Sequence, residues 1–373
     1  MEKKKILFVL PRMNSGGTER VASILANHLC RTYDVTLLVL VSDTSFYPLE
    51  KEVRFVSADF AVNRASKAAR MVSLARNFWQ AVRFVRREIK RQKPQIVFSL
   101  LAEADIVTAL ALTGVRGVYH ISSERNDPTV RNRWVQRILN RIYRRCSRFV
   151  CQSQTVARWY DKIPQENKVV IPNPVDFDHY PQPVPEGPQT RVAAVGRLRP
   201  QKNFDLLIDS FSMIAPRHPQ VQLDIYGEGP LREPLQEKIH ALGLDGRVNL
   251  RGASKQVLTD IRDAAVFVMS SDYEGFPNAL VEAIAMGLPV ISTDFATGVA
   301  REIIGPETGL VVPCGDREAM AHALDDLLSH PERRAEMREK GRKAVEPFAC
   351  DRVIDTWDRF FRDLTEGKKE VKE

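Results

Sequence analysis

The sequence predicts an α/β protein made of two doubly wound parallel sheets, each in its own domain. Three observations carry that expectation. Short apolar runs alternate with helix-period stretches through the first half of the chain, the alternation restarts in the second half, and a proline-rich break separates the two. Strand–helix alternation implies a parallel sheet covered on both faces.

In the first half, the apolar runs at 5–10, 35–41, 54–57, 95–100, 117–122 and 148–152 read as buried strands. Periodic helical stretches at 18–29, 65–91, 102–112 and 131–145 lie between them. The second half places strands near 192–196, 222–226, 248–250, 266–270, 289–292 and 309–312. Between them, four prolines within 178–189 favour an extended linker. Near the end, 351–365 is amphipathic, with Val353, Trp357, Phe360 and Phe361 on or near one face. The expected organisation is a first domain over 1–178, a linker over 179–190, a second domain over 191–348, a final helix over 349–366 and a disordered tail over 367–373.

The chain has 373 residues, 44% of them hydrophobic, enough for two cores. Its net charge of +8 is unevenly spread. Up to Asp176 there are 30 Lys+Arg against 15 Asp+Glu, a balance of +15; from Phe177 there are 25 against 32, a balance of −7. The first half is therefore expected to meet something anionic. No nucleic-acid-binding motif accompanies the charge, so nucleic acid is not expected, and an anionic membrane surface is the better match. The 5 cysteines are scattered and outline neither a disulfide framework nor a zinc site. The opening apolar run at 6–10 is short for a signal peptide, and no apolar stretch is long enough to span a bilayer. The expected location is the cytoplasm, peripheral on the inner face of the cell membrane.

The most informative segment runs from Glu274 to Ala283 and reads Glu-Gly-Phe-Pro-Asn-Ala-Leu-Val-Glu-Ala. Pro277 and Asn278 are helix-entry signals, with Asn278 a good N-cap; 279–286 forms a helix that Gly287 stops. A helix N-terminus attracts phosphate through free N–H groups. Glu282 lies about one turn in, and its side chain leans back toward that terminus. A carboxylate beside phosphate would repel it, so Glu282 is better suited to sugar hydroxyls, and the combination describes a nucleotide-sugar pocket.

Further pieces fall in order along the chain: Gly16-Gly17-Thr18-Glu19-Arg20, Pro172-Asn173-Pro174-Val175-Asp176, Val195-Gly196-Arg197-Leu198 with Lys202-Asn203, Gly227-Glu228-Gly229-Pro230, and Thr308 to Pro313. Together with the paired glutamates they resemble the retaining glycosyltransferases of the large GT4 family, over nearly the whole chain. The resemblance implies the GT-B fold: two Rossmann-like domains facing a central cleft, with the last helix crossing back onto the first domain. It also implies a donor site in which Glu282 holds the nucleotide ribose and Glu274 lies near the sugar, with a catalytic role. The expected reaction moves a sugar, possibly an N-acetylhexosamine, from a UDP-linked donor to a lipid-linked or surface-polysaccharide acceptor.

Arg197 and Lys202 follow a strand end, where open α/β sheets bind ligands. Together they can neutralise a diphosphate leaving group without a metal. Backbone N–H groups around Phe276, Asn278, Ala279 and Leu280 would add to that. Gly17, at the first strand–helix junction, lets backbone approach a ligand closely. His120 or Arg125 could touch donor or acceptor; a histidine in such a half-buried strand is more often structural. Asp176-Phe177-Asp178 reads as a turn, and neither an essential metal nor a cofactor is expected. Lys67, Arg70, Arg76 and Trp79 belong to a basic stretch that continues to Lys93 and suits a membrane interface; 131–148 repeats its character. The apolar stripe of the first stretch is expected to pack on the sheet. An enzyme acting on a small soluble acceptor and a sugar-nucleotide epimerase of the same fold remain rivals.

Overall fold

A computed structural model describes residues 3–14, 16–41, 44–58, 67–177, 180–181, 190–305 and 307–366, the side chains from 67 to 74 excepted. The chain separates into two compact units, Met1–Pro174 with Asp351–Glu373, and Val175–Cys350. The linker prolines at 183, 185 and 188 and the tail over 367–373 lie outside the described residues.

The strands of the first unit are β1 Lys5–Leu10, β2 Asp34–Val39, β3 Arg54–Ser57, β4 Ile96–Leu100, β5 Tyr119–Ser123, β6 Arg148–Cys151 and β7 Lys168–Val170. They pair in parallel in the order β3-β2-β1-β4-β5-β6-β7. Helices α1 Gly17–Leu29, α2 Lys67–Gln92, α3 Ala102–Ala111, α4 Arg133–Tyr143 and α5 Gln154–Trp159 connect them. The strands are apolar on both faces because helices cover both; β1, β2 and β4 have every residue buried except Lys5 and Asp34. The stripe of α2 does pack on the sheet: Ala81, Val82, Val85 and Ile89 join Leu7, Val9, Leu38 and Val97 in one cluster.

The second unit carries β8 Arg191–Val195, β9 Gln222–Tyr226, β10 Val248–Gly252, β11 Val266–Met269, β12 Val290–Asp294 and β13 Gly309–Pro313, in the order β10-β9-β8-β11-β12-β13. Its helices are α6 Phe204–Ile214, α7 Arg232–Ala241, α8 Val257–Ile261, α9 Asn278–Ala285, α10 Val299–Ile303, α11 Arg317–Ser329 and α12 Pro331–Ala344. In each sheet the winding reverses at one place, between β1 and β4 in the first and between β8 and β11 in the second. Such reversals open a crevice outside the carboxyl ends of the strands, which is where this architecture binds ligands.

The last helix, α13 Cys350–Glu366, packs within the first unit although the second unit precedes it in sequence. Its Trp357 is fully buried, with ring centroids 5.0 Å from Phe98 and 5.4 Å from Phe361. Phe98 lies 5.3 Å from Phe8, so the helix is tied through aromatics to the middle of the sheet. The apolar positions of α13 recur at helical spacing, and burying that face holds the helix to the unit.

Candidate active site

In the second unit, the chain leaving β8 and the chain leaving β11 flank the reversal point, and their side chains meet. Lys202 Nζ lies 2.6 Å from Glu274 Oε1. Ser271 Oγ donates to the same oxygen at 2.7 Å, and Gln201 Nε2 reaches Glu274 Oε2 at 3.4 Å. Backbone and side chains lace the loops further: Asp272 N donates to the Gln201 carbonyl at 2.9 Å, Asn203 Nδ2 to Asp272 Oδ1 at 2.7 Å, and Ser270 Oγ to the Lys202 carbonyl at 2.8 Å. Asn203 adopts a left-handed conformation (φ 44°) and accepts from Leu206 N, so it ends the loop and caps α6.

Two expected site residues are therefore in direct contact, and three of their supports escape a sequence reading. Gln201, Ser271 and Asp272 gave no chemical signal of their own, whereas Asn203 belonged to the Lys202-Asn203 piece of the sequence pattern. The one available hint was the run of small hydroxyl residues, Ser270-Ser271, at a strand end just before Glu274.

Glycines explain how the loops fit. A Cβ on Gly196 would sit 2.9 Å from Lys202 Cε, so glycine lets the lysine stem lie across the backbone. A Cβ on Gly227 or Gly229 would collide with the carbonyl oxygen of Gly196 or Leu198. Leu198 N donates to the Glu228 carbonyl at 3.0 Å and Gly227 N to that of Gly252 at 2.8 Å. The Gly-Glu-Gly-Pro segment thus forms a close-packed floor under the loop that carries Arg197. Arg197 itself is exposed, and its guanidinium has no partner among the described residues.

Helix α9 differs from expectation in its cap. Pro277, not Asn278, is the N-cap residue, since its carbonyl accepts from Leu280 N at 3.0 Å and Val281 N at 3.2 Å, which makes Asn278 the first helical residue. The amides of Asn278 and Leu280 are spent within this turn, whereas those of Gly275, Phe276 and Ala279 have no acceptor among the described residues. The Phe276 and Leu280 side chains are in the core, Phe276 against Phe348 at 5.7 Å. Glu282 is 9% exposed on the same helix, and Gly287 (φ 76°) ends it as expected.

The carboxyl edge of the first sheet is a separate cluster. Gly17 is exposed and opens α1. A Cβ on Gly16 would run into the Glu19 carboxylate, which folds back over the helix N-terminus. Leu101, following β4, is held at φ 78°, a conformation costly for a leucine.

His120, a candidate for touching donor or acceptor, is held inside the sheet. It is the second residue of β5, paired with Val97 well before the strand's end, and its Nε2 faces Ser99 Oγ at 3.0 Å and Ser122 Oγ at 3.3 Å. Burial lowers its pKa to about 4, so it is a neutral, internally bonded side chain. The strand end belongs instead to Arg125. This guanidinium is 4% exposed and donates from Nη1 to Asn173 Oδ1 at 2.6 Å; Gln152 Nε2 donates to the same oxygen at 2.8 Å. Its Nε and Nη2 have no acceptor among the described residues. Burial brings its pKa down to about 10. Beside it, Glu124 accepts from Arg131, from Tyr160 Oη at 2.6 Å and from the backbone N–H of Arg125 and Asn126 at 3.1 Å.

Of the membrane candidates, Arg76 and Trp79 are exposed on α2, and the side chains of Lys67 and Arg70 lie outside the described residues. Among the described residues, no group of three or more His, Cys, Asp or Glu is placed to hold a metal ion, and no helix is long and apolar enough to cross a membrane.

Comparison with known proteins fits this geometry. Residues 15–179 match the family model described as Glycosyltransferase Family 4, and residues 177–344 match the one described as Glycosyl transferases group 1. The chain is 25% identical over 363 residues to a Campylobacter jejuni GalNAc-alpha-(1->4)-GalNAc-alpha-(1->3)-diNAcBac-PP-undecaprenol alpha-1,4-N-acetyl-D-galactosaminyltransferase, spanning 96% of this chain and 99% of that one. It is 29% identical over 360 residues to the amylovoran biosynthesis glycosyltransferase AmsD of Erwinia amylovora, spanning 92% and 95%. Among solved structures it superposes on sucrose-phosphate synthase from Thermosynechococcus elongatus with a TM-score of 0.83 at 17% identity, covering 98% of this chain and 100% of that one. The Anabaena HepE protein, solved in complex with UDP, gives 0.79 at 18% identity, with 96% and 100% covered.

Fold and relatives together define a glycosyltransferase of GT-B type. Its first half carries a Glycosyltransferase Family 4 domain and its second half a Glycosyl transferases group 1 domain.

Proposed function

We propose that the enzyme is a retaining, metal-independent glycosyltransferase that moves a sugar from a UDP-linked donor to a lipid-linked or surface-polysaccharide acceptor. One observation carries the reading: Lys202 and Glu274 meet at the sheet's reversal point, and Arg197, without a partner among the described residues, stands on the glycine floor of the same loop. A cation pair there suits a diphosphate, and a carboxylate suits the sugar attached to it. HepE was solved with UDP-glucose as well, and the Campylobacter relative is named for N-acetylgalactosaminyl transfer onto an undecaprenol-linked glycan. Both support the choice of donor and acceptor class.

In this reading Arg197 and Lys202 hold the diphosphate, assisted by the free amides of Phe276 and Ala279. Glu274 orients the sugar and Glu282 holds the ribose. The bond from the anomeric carbon to the leaving phosphate oxygen breaks as the acceptor hydroxyl bonds on the same face. The hydroxyl proton passes to that phosphate oxygen, so no protein base is needed. Lysine and arginine take the place of a metal in stabilising the leaving charge. The enzyme works at the inner face of the cell membrane, where a lipid-linked acceptor would be presented.

The test is transfer from a panel of radiolabelled nucleotide sugars into bacterial membrane lipid extract, with EDTA present, followed by NMR of the product's anomeric configuration. Label entering the organic phase with the donor's configuration is the expected result. Inversion, dependence on added metal, or conversion of donor to an isomer without transfer would overturn it.

A further inference from the structure

Helix α4 turns an apolar row outward. Its inner face is accounted for: Leu139 and Tyr143 are buried in the cluster with Phe149 and Tyr160, and Val135 and Ile142 pack against it. On the outer face, Val130 just before the helix, Trp134 and Ile138 are 55%, 71% and 50% exposed. Four-residue spacing puts Trp134 and Ile138 on one side of the helix, and Val130 is exposed in the turn that leads into it. Large apolar side chains exposed singly need no explanation, but a tryptophan and an isoleucine one turn apart, with a valine exposed just before them, do.

Arginine surrounds the row. Arg133, Arg137, Arg141, Arg144 and Arg145 are all exposed, and no acidic residue occurs between Asp127 and Arg148. The Arg137 guanidinium lies 4.9 Å from the Trp134 ring centre, over its face. Asn132 caps the helix by accepting from Trp134 N at 2.9 Å, which fixes the tryptophan at the first turn. Arg131 is not part of this surface, because it turns inward to Glu124.

Helix α2, where the sequence placed membrane contact, is arranged differently. Its apolar stripe is used in the core, which leaves Trp79 as its exposed large apolar residue among the described side chains. Its arginines could still contribute charge, but its described side chains form no outward apolar row.

We propose that α4, through Val130, Trp134 and Ile138 ringed by arginines, is the surface that docks the enzyme on an anionic lipid membrane. The row enters the headgroup boundary while the arginine stems reach back to lipid phosphates. This deepens the membrane part of the function proposed above and rests on it for its role in the cell, although lipid binding itself can be measured without any sugar transfer. A protein partner would need carboxylates to match the arginines; an anionic bilayer supplies the complementary charge over the whole face.

The test uses the full chain in flotation with vesicles of phosphatidylcholine alone or mixed with phosphatidylglycerol. Trp134→Ser with Ile138→Ser should lower partition onto the mixed vesicles about tenfold or more, without moving the unfolding temperature. Arg137→Glu with Arg141→Glu should lower it about 25-fold or more, from about fivefold for each arginine lost. Trp79→Ser should stay within about twofold of the parent. Bromine-labelled lipid should quench the parent's fluorescence more than that of Trp134→Phe. The proposal is overturned if the α4 variants float like the parent, if Trp79→Ser is the variant that fails, or if Trp134→Ser instead abolishes a concentration-dependent dimer. Transfer to a water-soluble acceptor separates the two ideas: activity retained there without vesicle binding leaves the glycosyltransferase reading intact and sinks the docking surface.

Discussion

Glu274 is bonded to Lys202, the residue proposed to hold the donor diphosphate, and that gives Glu274→Gln an unusual sign. The pair is 2.6 Å apart with side chains 16% and 11% exposed, a charge-assisted contact worth about 1.5–3 kcal/mol. A diphosphate arriving at Lys202 must share the ammonium with the carboxylate. Replacing the carboxylate by an amide relieves that competition, and recovering about 1.4 kcal/mol would tighten binding of UDP alone about tenfold. The same change removes the group proposed to orient the sugar, so kcat/KM for transfer should fall about 100-fold, or about 2.7 kcal/mol. Titration calorimetry with UDP and steady-state transfer read the two effects separately. Lys202→Met should behave oppositely, losing UDP affinity and leaving Glu274 with only Ser271 and Gln201, at about 2 kcal/mol of fold stability. If Glu274→Gln weakens UDP binding as much as Lys202→Met does, at unchanged unfolding temperature, the competition argument is wrong.

Three further outcomes follow from the geometry. Arg125→Gln, which leaves the side-on fork of a buried guanidinium without its charge, should cost transfer about 10- to 100-fold if Nε and Nη2 receive a phosphate or carboxylate oxygen, and a KM measured for donor and acceptor in turn tells which supplies it; unchanged kinetics would make Arg125 purely structural. His120 has a folded pKa of about 4 against an ordinary 6.5, so the native state disfavours its proton: its contribution is intact above pH 6.5 and is lost as pH falls toward 4, by about 3 kcal/mol, and His120→Gln should flatten that part of the stability profile relative to the parent. Trp357→Ala should destabilise the first unit by about 3–5 kcal/mol, whereas Trp357→Phe should cost far less, because the indole N–H is buried without an acceptor among the described residues and its removal relieves a penalty; equal losses in chemical denaturation would contradict this.

The fold was legible because the physics that makes it is local and periodic. Apolar runs of five or six residues, such as those of β1 and β4, can be buried on both faces only in a covered parallel sheet, and the spacing of Val353, Trp357 and Phe361 marks a one-sided helix wherever it packs. That α13 returns to the first unit came from family resemblance, since no local pattern says which core a stripe will find. The paired glutamates stood out because a helix start lies between them, whereas Arg197 drew its weight from the family pattern around it, since a basic loop alone reads as a solvated surface. Gln201, Ser271 and Asp272 were invisible because their role is set by two loops about 70 residues apart meeting at the reversal point, with Asp272 N on the Gln201 carbonyl. The cap of α9 moved by one residue because the Pro277 carbonyl, not the Asn278 side chain, begins the helix. His120 was uncertain for want of register, and its pairing with Val97 settles it inside the sheet.

The surplus of positive charge in the first half resolves into two populations once side chains are placed, and composition could not have separated them. Arg125 and Arg131 point inward at the end of β5, one to Asn173 and the other to Glu124. Burying them costs desolvation, which is acceptable only where partners or ligands complete their hydrogen bonds. Arg131 has those partners in Glu124 and Gln136, while Arg125 has, among the described residues, a partner on one edge alone. The exposed arginines of α4 cost nothing to solvate, so stability gives no reason for five of them to flank an outward tryptophan. An inward arginine with an open edge argues for a small anion, and outward arginines around exposed apolar residues argue for a large anionic surface. A transferase that takes its acceptor from lipid would need both.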